Sequence, residues 1–330
     1  MIKKSPSTIN DVARDARVSS STVSRVLAGA GYVSPETRSR VEHSISKLSF
    51  HPSSIAQSLR RQKSTVLGLV ITDIQNPYYP ELVRGIEDAA QKLGYSIILC
   101  NSSEDSDREA GYISLLASQR AAGLFICAQS FLKRHRTQLM ELDTQIVIVD
   151  AESKNDLFPS VLNDGFHGGE MAAKHLRECG YPQIVYLGRE QDWHDSIRYR
   201  GIIKGAGDLE VHYFQADDSL ESGRDVIIQV AKQIATPFGL ATHNDLSAIG
   251  AIRGLRSIGI DVPNQVGIVG HDDIAMSDYI TPSLTTVRQH QYHMGAEAVS
   301  LMDDLINETD TPPHLTVSAN LIIRESTTKI

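Results

Sequence analysis

Between residues 66 and 269 the chain returns again and again to short apolar runs separated by helical stretches, and this rhythm narrows the possible folds. Val66–Ile71, Ser96–Leu99, Leu124–Cys127, Ile146–Val149, Ile184–Leu187, Gly239–Thr242 and Val266–Val269 are strand-like, short and rich in Val, Ile and Leu. Continuous apolar runs suit strands that are covered on both faces. Glu81–Lys92, Gly168–Glu178, Ser222–Gln233 and Leu246–Ser257 read as helices between them. Such alternation predicts parallel, doubly wound α/β sheets. There is enough of it for two similar subdomains. Ligands of such sheets bind beyond the carboxyl ends of the strands, so the strand ends are where binding residues are sought.

The 330 residues suit two or three domains. The net charge of −8 is unevenly spread. Residues 1–63 hold eleven Lys and Arg against four acids, whereas the remainder holds 21 against 36. A basic head on an acidic body suggests that the head meets a polyanion. Cys100, Cys127 and Cys179 are widely spaced and form neither a disulfide framework nor a CxxC pair. No apolar run approaches the roughly 18–20 residues that span a bilayer, and no apolar leader follows the first residues. The expectation is a soluble cytoplasmic protein.

The head carries the marks of three short helices. Thr8 can cap the first, with Asp11 in capping-box spacing and Ile9, Val12, Ala13 and Ala16 on a helical period. Ser19 can cap a second, whose Val23, Val26 and Leu27 share a face and leave Ser20, Ser21, Thr22, Ser24 and Arg25 outward. A third opens at Ser34-Pro35, with Val41, Ile45 and Leu48 as its stripe. This is helix-turn-helix architecture, and a small polar first turn on the second helix suits close approach to phosphates and base edges. On pattern alone a three-helix structural cap would look the same.

Three strings then identify a family. "TINDVARDARVSSSTVSRVLAG", "VSPETRSRVEHSISKLSFHPSSIAQSLRRQKS" and "LGLVITDIQNPYYPELVRGIEDAAQKLGY" resemble the lactose/galactose repressor family of bacterial transcription factors, over essentially the whole chain. Arg17 and Ala28 depart from the family, which usually has Gly or Asn at the first position and Asn at the second. The resemblance implies an all-α helix-turn-helix headpiece at residues 1–50 and a hinge or linker at 51–63. It implies an effector-binding and dimerisation domain of periplasmic-binding-protein type at 64–330. That domain has one lobe of about 64–162 and 289–318, and another of about 163–288 and 319–330.

By the same resemblance Ser20, Ser21 and Arg25 read bases, and Arg25 dominates because a guanidinium grips a guanine edge bidentately. Thr8, Ser19, Thr22, Ser24 and Thr37 hold phosphates and fix register. In the hinge, Ser54 joins the DNA contacts, Leu59 matches the leucine that wedges into the central step, and Arg60 and Arg61 flank it. About nine hinge residues are too few for a stable isolated helix, so the segment would order only with DNA and its twin.

For the cleft, the strand ends and the family positions select Tyr78, Tyr79, Asp150, Arg198, Asn244 and Asp272. Asp245 and Asp273 read as helix or loop caps. Carboxylates and Arg suit paired hydroxyls, and rings cover a sugar or base face. His271 stands where the family usually has Tyr, and Asp218 near where some members place an aromatic platform; both make the pocket more polar.

No GxSxG elbow, Walker loop or HExxH is present, and Gly29-Ala-Gly31 lacks a preceding strand, so an enzyme is not expected. His290 and His293 read as a solvated helix face rather than a metal pair. No cofactor and no metal are expected. The expected partners are a palindromic double-stranded operator, a second copy in a homodimer, and a small effector. A sugar is favoured for the effector, with a nucleoside or purine as the alternative. A phosphoprotein-gated catabolite regulator would want a basic docking helix, where this chain has Met302-Asp303-Asp304. A plain sugar-binding protein would have no use for the basic head.

Overall fold

The computed structural model describes residues 7–28, 31–50, 64–127, 136–150, 157–189, 196–310 and 312–330. The hinge residues Ser54, Leu59, Arg60 and Arg61 lie outside the described residues. The chain divides into two compact units, Met1–Ser64 and Thr65–Ile330.

The first unit has helices α1 (Ile9–Ala16), α2 (Ser20–Ala28) and α3 (Pro35–Lys47). Thr8 and Asp11 form a reciprocal capping box on α1, and the Thr8 hydrogen bonds hold the Asp11 carboxyl below its ordinary range. The helix stops at Arg17, which takes the left-handed conformation at φ 52°. A turn that favours Gly or Asn is therefore made here by an arginine. Val12, Ala13, Ala16, Val23, Val26 and Val41 form the core of the unit.

The second unit holds two six-stranded sheets. The first has the order β11-β5-β4-β3-β1-β2, with β1 Val66–Ile71, β2 Ser96–Asn101, β3 Gly123–Ile126, β4 Gln145–Val149, β5 Ser160–Asn163 and β11 His314–Val317, all parallel. The second has the order β12-β10-β9-β8-β6-β7. Its strands are β6 Gln183–Gly188, β7 Glu210–Gln215, β8 Phe238–Thr242, β9 Val266–Asp272, β10 Thr285–Arg288 and β12 Asn320–Ile322. Only β12 runs antiparallel, against β10. The sheets are thus doubly wound and parallel-dominated, with one antiparallel edge strand on the second.

Alternation along β1 explains how helices cover both faces. Leu67, Leu69 and Ile71 meet Leu82 and Ile86 of α4 (Tyr78–Lys92) and Met294 and Met302 of α12 (Gln291–Ile306). Val70 turns to the other face, with Ile113 and Leu116 of α5 (Ser106–Ser118) and Leu139 of α6 (Arg136–Met140). In the second sheet, Val185 and Leu187 face α9 (Leu220–Gln233) and α10 (Asp245–Ser257), while Ile184 and Tyr186 face α7 (Gly165–Glu178) and α8 (Ile197–Ala206). The short helix α11 spans Met276–Tyr279.

The chain passes between the lobes three times: from β5 into α7, from β10 into α12, and from β11 into β12. Helix α4 begins at Tyr78, earlier than the sequence suggests. Pro80 does not block its first turn, because the first N–H groups of a helix have no intrahelical partner.

Candidate functional sites

In the head, α2 buries Val23 and Val26. Ser21 and Arg25, one turn apart, are exposed, and Ser20 and Ser24 lie half-buried along the same side. The hydroxyls of Ser19 and Ser21 are 2.7 Å apart, those of Ser19 and Thr22 are 2.9 Å apart, and Ser19 Oγ also caps the Thr22 N–H. Thr37 receives a hydrogen bond from Ser34, the cap of α3. These are short hydroxyls clustered at helix N-termini, where backbone N–H groups also point outward, and they suit phosphate oxygens. Thr8 is exposed at the start of α1.

In the second unit the polar groups converge at the strand ends. Tyr78 and Tyr79, in the first turn of α4 after β1, stack edge to face with centroids 5.3 Å apart. Burial and then the nearby Asp150 charge push the Tyr78 hydroxyl well above its ordinary pKa; burial does the same for Tyr79. Thr72 Oγ1 donates to the Tyr79 hydroxyl at 2.6 Å. Asp150 follows β4 with a positive φ and accepts from Asn163 Nδ2.

From the second lobe, Arg198 comes off the first turn of α8, buried, and donates to the His243 carbonyl. Buried His271 and half-buried His243 are held neutral, first by loss of solvent and then by the Arg198 charge. Asp272 ends β9 at φ 122°, buried, and accepts from Gln289 Nε2 at 2.5 Å. Lost solvent and the Asp245 charge raise its pKa, against the pull of Arg198. Tyr78, Asp150, Arg198 and Asp272 are therefore in one electrostatic neighbourhood across the interlobe cleft.

Asn244 is placed differently from the other five. It is the N-cap of α10, its Oδ1 accepting the Ser247 N–H at 2.9 Å, while Nδ2 reaches toward the Asp218 carbonyl at 3.5 Å. Asp245 is fully engaged in structure: it accepts from Ile274 N, Ser277 Oγ and Thr286 Oγ1. Asp273 pairs with Arg288 and Arg324. His290 contacts Asn320, and His293 pairs with Glu297 on its own helix. Among the described residues no group of three His, Cys, Asp or Glu is arranged to hold a metal.

The sequence reading missed Glu104, Arg189 and Gln289. Arg189 follows Gly188 at the end of β6, where the strand-end rule would have found it. Glu104 lies in the turn three residues beyond β2, and Gln289 directly follows β10, a strand whose polar Thr285 and Thr286 hide it in the sequence.

A helical head that presents hydroxyls and an arginine, joined to two sheets around a polar cleft, defines a ligand-responsive DNA-binding protein. Residues 8–53 match the family described as bacterial regulatory proteins, lacI family, and residues 173–327 match the periplasmic binding protein-like domain. The chain is 34% identical to a ribose operon repressor of Halalkalibacterium halodurans, covering 97% of each chain. It is 31% identical to the HTH-type transcriptional repressor PurR of Proteus mirabilis, over 97% of this chain and 96% of that one. The fold matches the lac repressor bound to ONPG in the repressed state with TM-score 0.86 and 25% identity, over 98% of this chain and 100% of that one. The chain belongs to the lacI family of bacterial regulatory proteins and is a DNA-binding transcriptional regulator. These relatives are regulators, not enzymes. No helix among the described residues is long and apolar enough to cross a membrane.

Proposed function

We propose that this chain is a homodimeric repressor whose affinity for a palindromic operator is set by a sugar bound between the two lobes of residues 64–330. The observation that carries the reading is the convergence of Tyr78, Tyr79 and Asp150 from one lobe with Arg198 and Asp272 from the other. Rings flanked by carboxylates and a guanidinium match the face and the hydroxyl pairs of a sugar. Asn244 shapes the rim through its cap. In the head (1–50), Arg25 reads a base with Ser20 and Ser21. Thr8, Ser19, Thr22, Ser24 and Thr37 fix the phosphates. The hinge (51–63) brings Ser54, Leu59 and Arg60 to the centre of the operator.

Exposed apolar side chains on both lobes support the homodimer. Ile98 and Leu99 are exposed on the edge strand β2, with exposed Leu115 on α5, and the second lobe exposes Met276 and Tyr279. Such surface is suited to burial against a second copy.

The full-length protein would be incubated with genomic fragments at moderate salt, and the retained DNA sequenced with and without pooled sugars or pooled purines. A recurring palindrome whose retention changes with a sugar is the expected outcome. A response to purines alone would favour the second reading, for which the likeness to PurR speaks. The absence of any enriched sequence under every condition would overturn the operator assignment.

A further inference from the structure

The cations of the cleft are already engaged. Arg189 donates from Nη2 to Glu104 at 2.6 Å and from Nη1 to Asp218 at 3.2 Å. Glu104 lies in the turn between β2 and α5 of the first lobe, and Asp218 in the turn between β7 and α9 of the second. One guanidinium thus joins the lobes with a carboxylate on either side. Arg198, deeper in the cleft, is held by the His243 carbonyl and lies in the field of Asp218 and Asp272.

Against these two arginines stand four carboxylates: Glu104, Asp150, Asp218 and Asp272. Two acceptor atoms are also buried without a hydrogen-bond partner, Asp218 Oδ1 and Gln289 Oε1. Gln289 is only 2% exposed, and its amide nitrogen is committed to Asp272. Buried acceptors without donors are costly, and a ligand that brings O–H donors satisfies them. A phosphate or carboxylate brings negative charge and mostly acceptors into a site where two carboxylates already occupy the Arg189 guanidinium and carboxylates outnumber arginines.

We propose that the Glu104–Arg189–Asp218 triad is a specificity filter. It admits uncharged, hydroxyl-rich ligands to the interlobe cleft and rejects their phosphorylated or carboxylated forms. This rests on the reading of the cleft as the effector site. Arg189 is a latent anion receptor that its two carboxylate neighbours keep silent.

The test is calorimetric titration of the full-length protein with ribose and ribose 5-phosphate, with glucose, glucose 6-phosphate and gluconate, and with inorganic phosphate. For the unaltered protein, no binding is expected for phosphate or for any anionic form. Combining Glu104→Gln with Asp218→Asn releases Arg189, and at least a tenfold gain in affinity for inorganic phosphate or a sugar phosphate is expected. Adding Arg189→Gln abolishes that gain. Glu104→Gln alone, at an exposed group, gives a smaller gain and serves if the double variant does not fold.

Tighter binding of an anionic form than of its neutral counterpart by the unaltered protein would overturn the filter. So would a folded double variant that gains nothing. The anion measurements do not depend on the identity of the effector. Failure of every neutral sugar to bind counts against the sugar-sensing reading, whereas a missing anion gain counts against the triad.

Discussion

Gln289 donates from Nε2 to Oδ1 of Asp272, tying the end of β9 to the second chain crossing between the lobes. Gln291 Nε2 reinforces this by donating to the Asp272 carbonyl. Between the two glutamines, His290 takes a left-handed conformation, and its Nε2 lies 2.6 Å from Asn320 Oδ1 at the third crossing. A ligand that engaged Asp272 would therefore meet a residue tied to the second crossing, which His290 in turn ties to the third. Differential contact of this kind is what a ligand needs in order to shift a conformational equilibrium.

Asp272→Ala is expected to leave DNA binding intact and to abolish the response to effector. Gln289→Ala, which keeps the carboxylate but loosens its tether, is expected to retain ligand binding and weaken the coupling. Typical coupling energies are about 1–3 kcal/mol, so the loss would be roughly 5- to 150-fold in ligand-dependent operator affinity. Operator retention with and without sugar checks both. A normal response in Asp272→Ala would remove this residue from the effector site.

Gly201→Ala tests how the cleft is held from behind. A Cβ at Gly201 would lie 2.0 Å from the Phe166 carbonyl oxygen, so α7 and α8 meet backbone to backbone there. A methyl group must force the helices apart, a change that costs about 1–3 kcal/mol in a packed interior. Arg198 sits one turn earlier on α8 and would move with it. The expected result is a lower denaturant midpoint together with weaker sugar binding. An unchanged midpoint would show that this contact can relax.

The strands of the two sheet centres were legible because their apolar runs are continuous. The shorter β5, β10, β11 and β12 were not. Thr285, Thr286 and Ser160 are polar residues, buried through hydrogen bonds to partners distant in sequence. β7 was missed for a different reason: Glu210, His212 and Gln215 break its apolar run, whereas β2, also an edge strand, keeps Ile97, Ile98 and Leu99 in a row. At the cleft, Arg198 and Asp272 could be read from strand-end logic and resemblance. Glu104 and Gln289 could not, because their roles depend on partners 85 and 17 residues away. Asn244, expected as a ligand contact, caps α10 through Oδ1, and a short amide just after a strand suits either task.

Stability should depend on pH through His243 and His271. Both are held neutral when folded, below the ordinary histidine value of about 6.5. The unfolded chain binds their protons more readily, so their contribution is complete above about pH 6.5 and is lost as the pH falls further. Buried Glu109, Asp245 and Asp272 work in the opposite direction: loss of solvent raises their pKa values, so stability falls as the pH rises above the ordinary carboxylate range. His271→Asn separates the two, since it should flatten the acid side of the profile and leave the carboxyl slope in place. Melting temperatures from pH 5 to 8 measure this. An acid limb in His271→Asn as steep as in the unaltered protein would place the histidine titration elsewhere.

Arg25→Ala addresses the head. The side chain is exposed on α2, beyond the buried Val23 and Val26, so its removal should leave the three-helix core intact. A bidentate arginine–guanine contact contributes about 1–3 kcal/mol of discrimination, so preference for the operator over scrambled DNA should fall roughly 5- to 150-fold. Non-specific affinity and its salt slope should change little, because most phosphate contacts come from other groups. Titration of operator and scrambled duplexes at two salt concentrations distinguishes these effects. Equal weakening on both duplexes, with a shallower salt slope, would make Arg25 a phosphate contact instead of a base reader.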